Sequence, residues 1–338
     1  MVSGVMCSSR IPLSTMATNT SSKRKFIIDT DAGIDDAQAI LMCLAASDVE
    51  VVAITAVAGN TSATQVVKNL LRLLKAAGRP DIPIYRGCED MLLGWQKPDD
   101  CNYHGKDGFG DVPDPVPPNP DQVQAKHGVQ ALVDITKQYP GEITLVALGP
   151  LTNISMAIRM DKQFGSRLKD CFIMGGNYRA EGNITASGEF NFYSDPEAAY
   201  IVLNSLGCPI TLTCWELCLD CFFPWSFFPW EVHEELRSFT SVKCELLKTL
   251  EHAIVTQCKE EGRKYEVADE MAMACALNDD VITKSDDVYA TVELHGNMTR
   301  GQMVVDWRKV LARKPNVRLV LEMNKPILKT MLLKAFED

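Results

Sequence analysis

The sequence lacks any apolar run approaching the roughly 18–20 residues that a membrane-spanning helix needs. It also lacks a basic stripe with interleaved aromatic residues, and its 44 acidic residues outnumber its 34 basic ones, for a net charge of −10. An acidic surface repels a phosphate backbone, so this balance argues against a nucleic-acid partner. We therefore expect a protein that binds neither membranes nor nucleic acids.

A disulfide framework is also missing, although the sequence contains 12 cysteines. Most of them fall inside segments that we predict to be strands or helices, without framework spacing: Cys43, Cys171, Cys214 and Cys275 are examples. This placement is typical of reduced thiols that pack as small apolar side chains. Reduced thiols and the lack of a secretory apolar segment predict a cytoplasmic protein.

The first 22 residues are rich in Ser, Thr and Met, and Arg10 is their one charged side chain. We predict a disordered tail over residues 1–22, with a weak organelle-targeting segment as the alternative. The remaining residues, 23–338, contain no internal repeat and no evident linker, so we expect them to form a single domain.

From residue 25 onward, short apolar strands alternate with longer helical segments. We predict strands at 25–29, 51–57, 82–85, 143–148, 171–174 and 210–214, and helices at 36–46, 63–77 and 151–160. Runs at 288–294 and 317–323 are predicted as additional or edge strands. This pattern predicts an α/β fold with an open, mostly parallel, mixed sheet that helices cover on both faces.

Polar residues and glycines follow four of the predicted strands. Asp29 and Asp31 end the first strand, Asn60 follows the second, Gly149 follows the strand at 143–148, and Asn177 follows the strand at 171–174. In open sheets of this kind, ligands bind in the crevice outside the carboxyl ends of the strands. We expect these loops to form one site.

The segment from Asp29 to Asp36 (Asp-Thr-Asp-Ala-Gly-Ile-Asp-Asp) places four carboxylates within eight residues. Helix capping accounts for one or two of them, at Asp35 or Asp36. It leaves Asp29 and Asp31 crowded at a buried strand end, where like charges raise each other's pKa unless a cation compensates. Ligands that are all oxygen favour a hard ion, Ca²⁺ or Mg²⁺, over zinc.

Several motifs together resemble the inosine–uridine-preferring nucleoside hydrolases, from about Lys25 to the C-terminus. The acidic segment matches the family's Asp-x-Asp-(Pro)-Gly-x-Asp-Asp, with Ala32 where proline is usual. Further matches, in order, are Ala58-Gly-Asn60, His104-Gly-x-x-Gly108, Leu148-Gly-Pro-Leu-Thr-Asn153, Met174-Gly-Gly and Gly182-Asn183…Glu189-Phe-Asn191. The resemblance implies a Rossmann-like nucleoside hydrolase fold, a small ribonucleoside as the ligand, and a homodimer or homotetramer.

Carried over residue by residue, the resemblance assigns Ca²⁺ to Asp31, Asp36, the Leu148 carbonyl and Asp269. It makes Asp31 the general base toward a metal-bound water. It places Asp35, Asn60, Asn183, Glu189 and Asn191 on the ribose hydroxyls, with Met174 beneath the sugar. These side chains suit the chemistry, because an oxocarbenium-like ribosyl centre needs an activated water and nearby negative charge.

One position departs from the family. Many members have His-Asp late in the chain, and here Ala268 precedes Asp269, so the usual group beside the leaving base is missing. Two residues are candidates to contact the base instead. His104 lies on a loop, and Trp215 follows a strand end, where its ring would stack on a base. The alternatives are a structural loop histidine and a core tryptophan.

The sequence thus predicts a calcium-dependent enzyme that hydrolyses the N-glycosidic bond of purine or pyrimidine ribonucleosides to ribose and free base. One alternative is a hydrolase for another ribosyl compound that uses the same sugar and metal residues. Another is a weakly active ribose- or nucleoside-binding protein, because the leaving-group position is altered.

Overall fold

The computed structural model describes residues 1, 23–94, 102–116, 119–219 and 229–337. The predicted tail therefore lies outside the described residues, apart from Met1. Among the residues that are described, no helix is long and apolar enough to cross a bilayer.

Strands and helices are interspersed along the described chain. The strands are β1 (Arg24–Thr30), β2 (Val49–Ala56), β3 (Ile84–Arg86), β4 (Val123–Gln124), β5 (Ile143–Ala147), β6 (Leu168–Met174), β7 (Ile210–Thr213), β8 (Ile282–Val288), β9 (Ala290–Val292), β10 (Met303–Val305) and β11 (Val317–Met323). The α-helices are α1 (Ile34–Ala45), α2 (Ala63–Ala76), α3 (Gly128–Gln138), α4 (Thr152–Met160), α5 (Phe190–Ser194), α6 (Pro196–Ser205), α7 (Trp215–Leu219), α8 (Trp230–Leu236), α9 (Val242–Glu260), α10 (Asp269–Leu277) and α11 (Lys325–Lys334).

The main sheet has the order β4-β3-β2-β1-β5-β6-β7-β11-β8 in the described residues. Its pairs are parallel except for β8, which runs antiparallel to β11 at one edge. β1 lies between β2 and β5, and the strand order runs outward from it in both directions. The predicted α/β class with a mostly parallel, mixed sheet is confirmed, and the strand order reverses beside the end of β1.

The two faces of the sheet carry separate apolar clusters. Phe26 and Ile28 of β1 pack in one cluster with residues of α1, α2 and α10, whereas Ile27 packs in the other with α3, α4 and α6. Successive side chains of a strand point to opposite faces, so a fully apolar β1 must be covered on both. Helices therefore lie on both faces, as predicted.

The predicted strand at 288–294 is wrong as a single element. β8 ends at Val288, and β9 begins at Ala290 and pairs with β10 in a separate two-stranded sheet. The Asn316 side chain holds the break, since its Oδ1 accepts from the Ala290 amide (2.8 Å) and its Nδ2 donates to the Ala290 carbonyl (2.8 Å). The apolar alternation continues across this break, so periodicity alone gave no sign of it.

Candidate active site

Asp29 anchors the carboxyl end of β1 and does not line the site. Its Oδ2 accepts hydrogen bonds from Thr55 Oγ1 (2.5 Å) and Asn153 Nδ2 (2.8 Å), which joins β1 to β2 and α4. Burial raises its pKa to about 7. Within the described residues its Oδ1 has no hydrogen-bond partner. Asp29 thus holds in place the turn that carries the next carboxylate.

Asp31 lies on that turn, 1% exposed, in a space that two glycines leave open. Its Oδ2 accepts from the backbone amide of Asn60 (2.7 Å). A Cβ on Gly59 would lie 2.2 Å from Asp31 Oδ2, and one on Gly149 would lie 2.8 Å from Oδ1. Ala32 follows with a φ of 39°, a left-handed conformation that is rare for alanine. The loops after β1, β2 and β5 therefore meet at this carboxylate.

Asp36 is the third residue of α1, and its side chain caps the helix N-terminus. Its Oδ2 accepts from the Gly33 amide (2.7 Å), and its Oδ1 accepts from the Thr30 hydroxyl. Capping is therefore the correct interpretation for one of the four carboxylates. Asp35 is half-buried beside it, and Asp35 Oδ1 accepts from the Asp36 amide (3.0 Å). The same oxygen lies 3.4 Å from His104 Nε2.

Carboxylates from two helix N-termini converge on one point. Asp35, Asp36 and Asp269 have ligand oxygens within 4.8 Å of one another. Burial, followed by the charge of Asp36, raises the pKa of Asp31 and of Asp269 well above the usual range. Burial and the charge of Asp35 raise the pKa of Asp36 to about 6. Repelling, buried oxygens of this kind are a donor set that a hard divalent cation fits.

Asp31 is not a member of that group of three, although the charge of Asp36 acts on it. The Leu148 carbonyl, the other predicted ligand, accepts from Asn191 Nδ2 (2.8 Å). A carbonyl oxygen has two lone pairs, so this bond leaves one for an ion.

Glu189 and Asn191, two of the side chains predicted to bind ribose, come from the segment around α5. Glu189 is 1% exposed and accepts three backbone hydrogen bonds, from Gly176 (2.7 Å), Asn191 (2.8 Å) and Phe192 (3.0 Å). Burial nevertheless raises its pKa to about 7. Asn191 Nδ2 also donates to the carbonyl of Met174 (3.3 Å). Glu189 is thus held rigidly as the N-cap of α5, with an orientation that does not depend on a ligand.

The two residues predicted to contact the base differ in their surroundings. His104 Nδ1 accepts from the Ile34 amide (3.3 Å), while Nε2 faces Asp35, so both ring nitrogens have protein neighbours. Tyr103 packs edge-on against this ring, with the centroids 4.8 Å apart. Trp215 begins α7, is half-buried, and its amide donates to the Gly176 carbonyl (3.0 Å).

A single cavity of about 560 Å³ brings these residues together. Its lining includes Asp31, Asp35, Asn60, His104, Leu148, Met174, Asn183, Glu189, Asn191, Trp215 and Asp269. Asp36 lies outside the lining, as do Asp29, Gly149 and Asn177 from the strand ends, and all four are buried. A volume of this order accommodates a small organic ligand with several hydroxyl groups.

A buried polar network that the sequence did not predict also lines this cavity. Arg237 donates to Glu251 through Nε (2.6 Å) and Nη2 (2.7 Å), and Nη2 also donates to Gln38 Oε1 (2.6 Å). Gln38 Nε2 donates to Tyr265 Oη and to Glu270 Oε1, both at 2.8 Å. One signal was available: Gln38 lies three residues after Asp35, on the same face of α1.

Gly149→Ala is expected to lower turnover by roughly 10²-fold, because the new methyl group must displace the Asp31 carboxylate. The measurement is kcat on any substrate that the wild-type protein turns over. Gly141→Ala is the control: its φ of 78° strains an alanine, but nothing lies within 4 Å of the added Cβ. Equal activity in both variants would show that the site tolerates a displaced Asp31.

Glu251→Gln is expected to destabilise the fold by roughly 3–5 kcal/mol at pH 7, because it leaves the buried Arg237 guanidinium without its counter-charge. Burial alone would raise the pKa of Glu251, but the charge of Arg237 and the hydrogen bond from His233 lower it. A pKa that is lower in the folded than in the unfolded state stabilises the fold at pH values above the unfolded pKa of about 4.3. This stabilisation is lost as the pH falls below that value.

The stability gap between wild type and Glu251→Gln should therefore narrow as the pH falls from 5 to 3 in urea unfolding, through and below the unfolded pKa of about 4.3. Glu245→Gln, in a more exposed pair with Lys248 on the same helix, is the control and should change stability little at either pH. A gap that is constant with pH would contradict the assigned role of the Glu251 charge.

Known proteins resemble this chain over most of its length. Uridine nucleosidase 1 of Arabidopsis thaliana is 42% identical over 188 residues, which covers 56% of this chain and 55% of that protein. The chain thus spans about half the length of such plant relatives in the alignment. The inosine-uridine preferring nucleoside hydrolase of Leishmania major is 33% identical over 287 residues, which covers 84% of this chain and 88% of that protein.

A solved structure of an inosine-guanosine nucleoside hydrolase superposes with a TM-score of 0.84 at 31% identity, covering 93% of this chain and 98% of that one. Such relatives are nucleoside hydrolases, which are N-glycosidases. A model of the inosine-uridine preferring nucleoside hydrolase family matches residues 26–330. The family model and the Leishmania major relative show that the chain belongs to the inosine-uridine preferring nucleoside hydrolase family.

Proposed function

We propose that this protein hydrolyses the N-glycosidic bond of ribonucleosides to give ribose and the free base, and that it uses Ca²⁺. The observation that carries the proposal is the cavity itself, whose lining combines acidic residues with side chains suited to sugar hydroxyls. Membership of a family of N-glycosidases supports the reaction class.

Asp31 is the group that we assign to remove a proton from the attacking water. The Asn60 amide holds its Oδ2, so the carboxylate has one orientation before substrate arrives. The water oxygen bonds to C1′ of the ribose while the bond from C1′ to the base nitrogen breaks. The ribosyl centre becomes positive in this step, and the surrounding carboxylates stabilise that charge.

The ribose hydroxyls are assigned to Asp35, Asn60, Asn183, Glu189 and Asn191. Carboxylate oxygens accept from hydroxyl protons, and asparagine amides both donate and accept, so the set matches groups that do both. Because α5 and the loop before it hold Glu189 and Asn191 in place, the sugar is oriented with little loss of side-chain freedom.

Asp31, Asp36, Asp269 and the Leu148 carbonyl are the residues that we assign to hold the ion. The ligands are all oxygens and include a backbone carbonyl, which is typical of Ca²⁺ sites. When bound, the ion supplies Lewis acidity toward water and oxygen ligation for a cis-diol.

A panel of purine and pyrimidine ribonucleosides, with ribose release as the readout, tests the proposal. We expect turnover with Ca²⁺, loss of turnover after chelation, and recovery when Ca²⁺ is restored. Asp31→Asn, purified in parallel, should lose roughly 10²–10⁴ in rate, which also excludes a contaminating nucleosidase. Tight nucleoside binding without ribose release would instead favour a binding protein, and turnover that survives in Asp31→Asn would contradict the assigned base.

Nucleosides without the 2′-hydroxyl are expected to be hydrolysed with a low kcat/KM. Asp35, Asn191 and the ion are assigned to that group, and a buried polar group left without a partner costs about 1–3 kcal/mol. The measurement is kcat/KM for inosine against 2′-deoxyinosine, with 5′-deoxyinosine as the control for loss of a hydroxyl elsewhere. Equal kcat/KM for inosine and 2′-deoxyinosine would contradict the ribose assignment.

A further inference from the structure

The polar network around Arg237 determines which way the Gln38 amide points. Arg237 Nη2 lies 2.6 Å from one atom of that amide, and a guanidinium has hydrogen-bond donors only. The atom facing Arg237 must therefore be the amide oxygen. Glu251 holds the guanidinium from the other side through two of its nitrogens, so the orientation is set by charge pairing.

The amide nitrogen of Gln38 then has two protons and two acceptors. It donates to Glu270 Oε1 and to Tyr265 Oη, each at 2.8 Å. The Tyr265 hydroxyl is thus an acceptor in this contact, and its own proton is not used by Gln38. Across the described residues, no hydrogen bond places that proton on a protein acceptor. Tyr265 lines the cavity, so the proton is available to a bound ligand.

Packing holds the Tyr265 ring in this position. The His233 ring lies edge-on at a centroid distance of 4.9 Å, and the Trp230 ring lies at 6.1 Å. Only 9% of the residue is exposed. Burial raises the pKa of its hydroxyl above the usual range, so the proton is retained at neutral pH.

We propose that Tyr265 is a catalytic residue that donates a hydrogen bond to a heteroatom of the leaving base, with Gln38 and Arg237 as its positioning residues. The inference rests on the proposed function and adds the group that acts on the base. Ala268, three residues later, lines the same cavity and has only a methyl group to offer there. Glu270 Oε2 accepts from the Ala268 amide (2.9 Å), so that carboxyl oxygen is also occupied.

Tyr265 neither gains nor loses a proton in the proposed step. The base leaves with the electron pair of the bond to C1′, and the hydrogen bond from Tyr265 disperses the negative charge that develops on its heteroatoms. Water supplies the oxygen to C1′ and one proton to Asp31. Solvent then protonates the base and takes the proton from Asp31, while Tyr265 keeps its own.

Tyr265→Phe, assayed on inosine and on p-nitrophenyl riboside, tests the proposal. The nitrophenolate departs readily without hydrogen-bond assistance, so only inosine should depend on the hydroxyl. We expect kcat on inosine to fall roughly 10²-fold, while p-nitrophenyl riboside keeps its wild-type rate. Tyr139→Phe is the control, because that hydroxyl accepts from the exposed Gln138 side chain and is not in the cavity lining.

An unchanged rate on inosine would overturn the proposal, and so would an equal loss on both substrates, since the latter shows a structural role. If the wild-type protein releases ribose from neither substrate, the proposed function itself fails, which is a separate result.

Discussion

Four buried carboxylates at or beside the carboxyl end of β1 are the constraint on which the rest of the site depends. Burial raises the pKa of Asp29, Asp31, Asp36 and Asp269. The hydrogen-bond partners of Asp29, Asp31 and Asp36 are hydroxyls, an amide side chain and backbone amides: Thr30, Thr55, Asn153, Gly33 and Asn60. Neutral donors orient a carboxylate but do not cancel its charge. A bound cation is the simplest source of the missing positive charge, and the oxygen-only donor set suits one.

The topology explains why these groups can be gathered at all. The strand order reverses beside β1, so the loops after β2 and β5 diverge and leave a crevice at its carboxyl end. Gly59 and Gly149 line that crevice on either side of Asp31, where any Cβ would collide with the carboxylate. The site therefore requires residues without a side chain at these two positions, just as it requires the carboxylates.

The sequence predicted the parts of this arrangement that depend on local pattern. Apolar strands located β1, β2, β5 and β6. Asp31, Asn60, Leu148 and Met174 at their carboxyl ends line one cavity, whereas Asp29, Gly149 and Asn177 do not. It missed the network of Gln38, Arg237 and Tyr265, because these partners are 199 and 227 residues apart and no local spacing relates them. The interruption between β8 and β9 at Tyr289 was also missed, because the Asn316 side chain that holds it is distant in sequence.

The cavity combines two groups that the proposed reaction needs, a cluster of carboxylates and an oriented hydroxyl donor. Cleavage of an N-glycosidic bond makes the ribosyl carbon positive and the departing base negative. Carboxylates cluster where the ribosyl carbon would lie, at Asp31, Asp35 and Asp269. Among the other lining residues, Arg237 orients Gln38 while Glu251 balances its charge, and Gln38 leaves the Tyr265 proton free to donate. Acceptors for the positive centre and a donor for the departing base together stabilise the transition state more than the uncharged substrate. A binding protein would gain nothing from that pairing, so the arrangement favours catalysis.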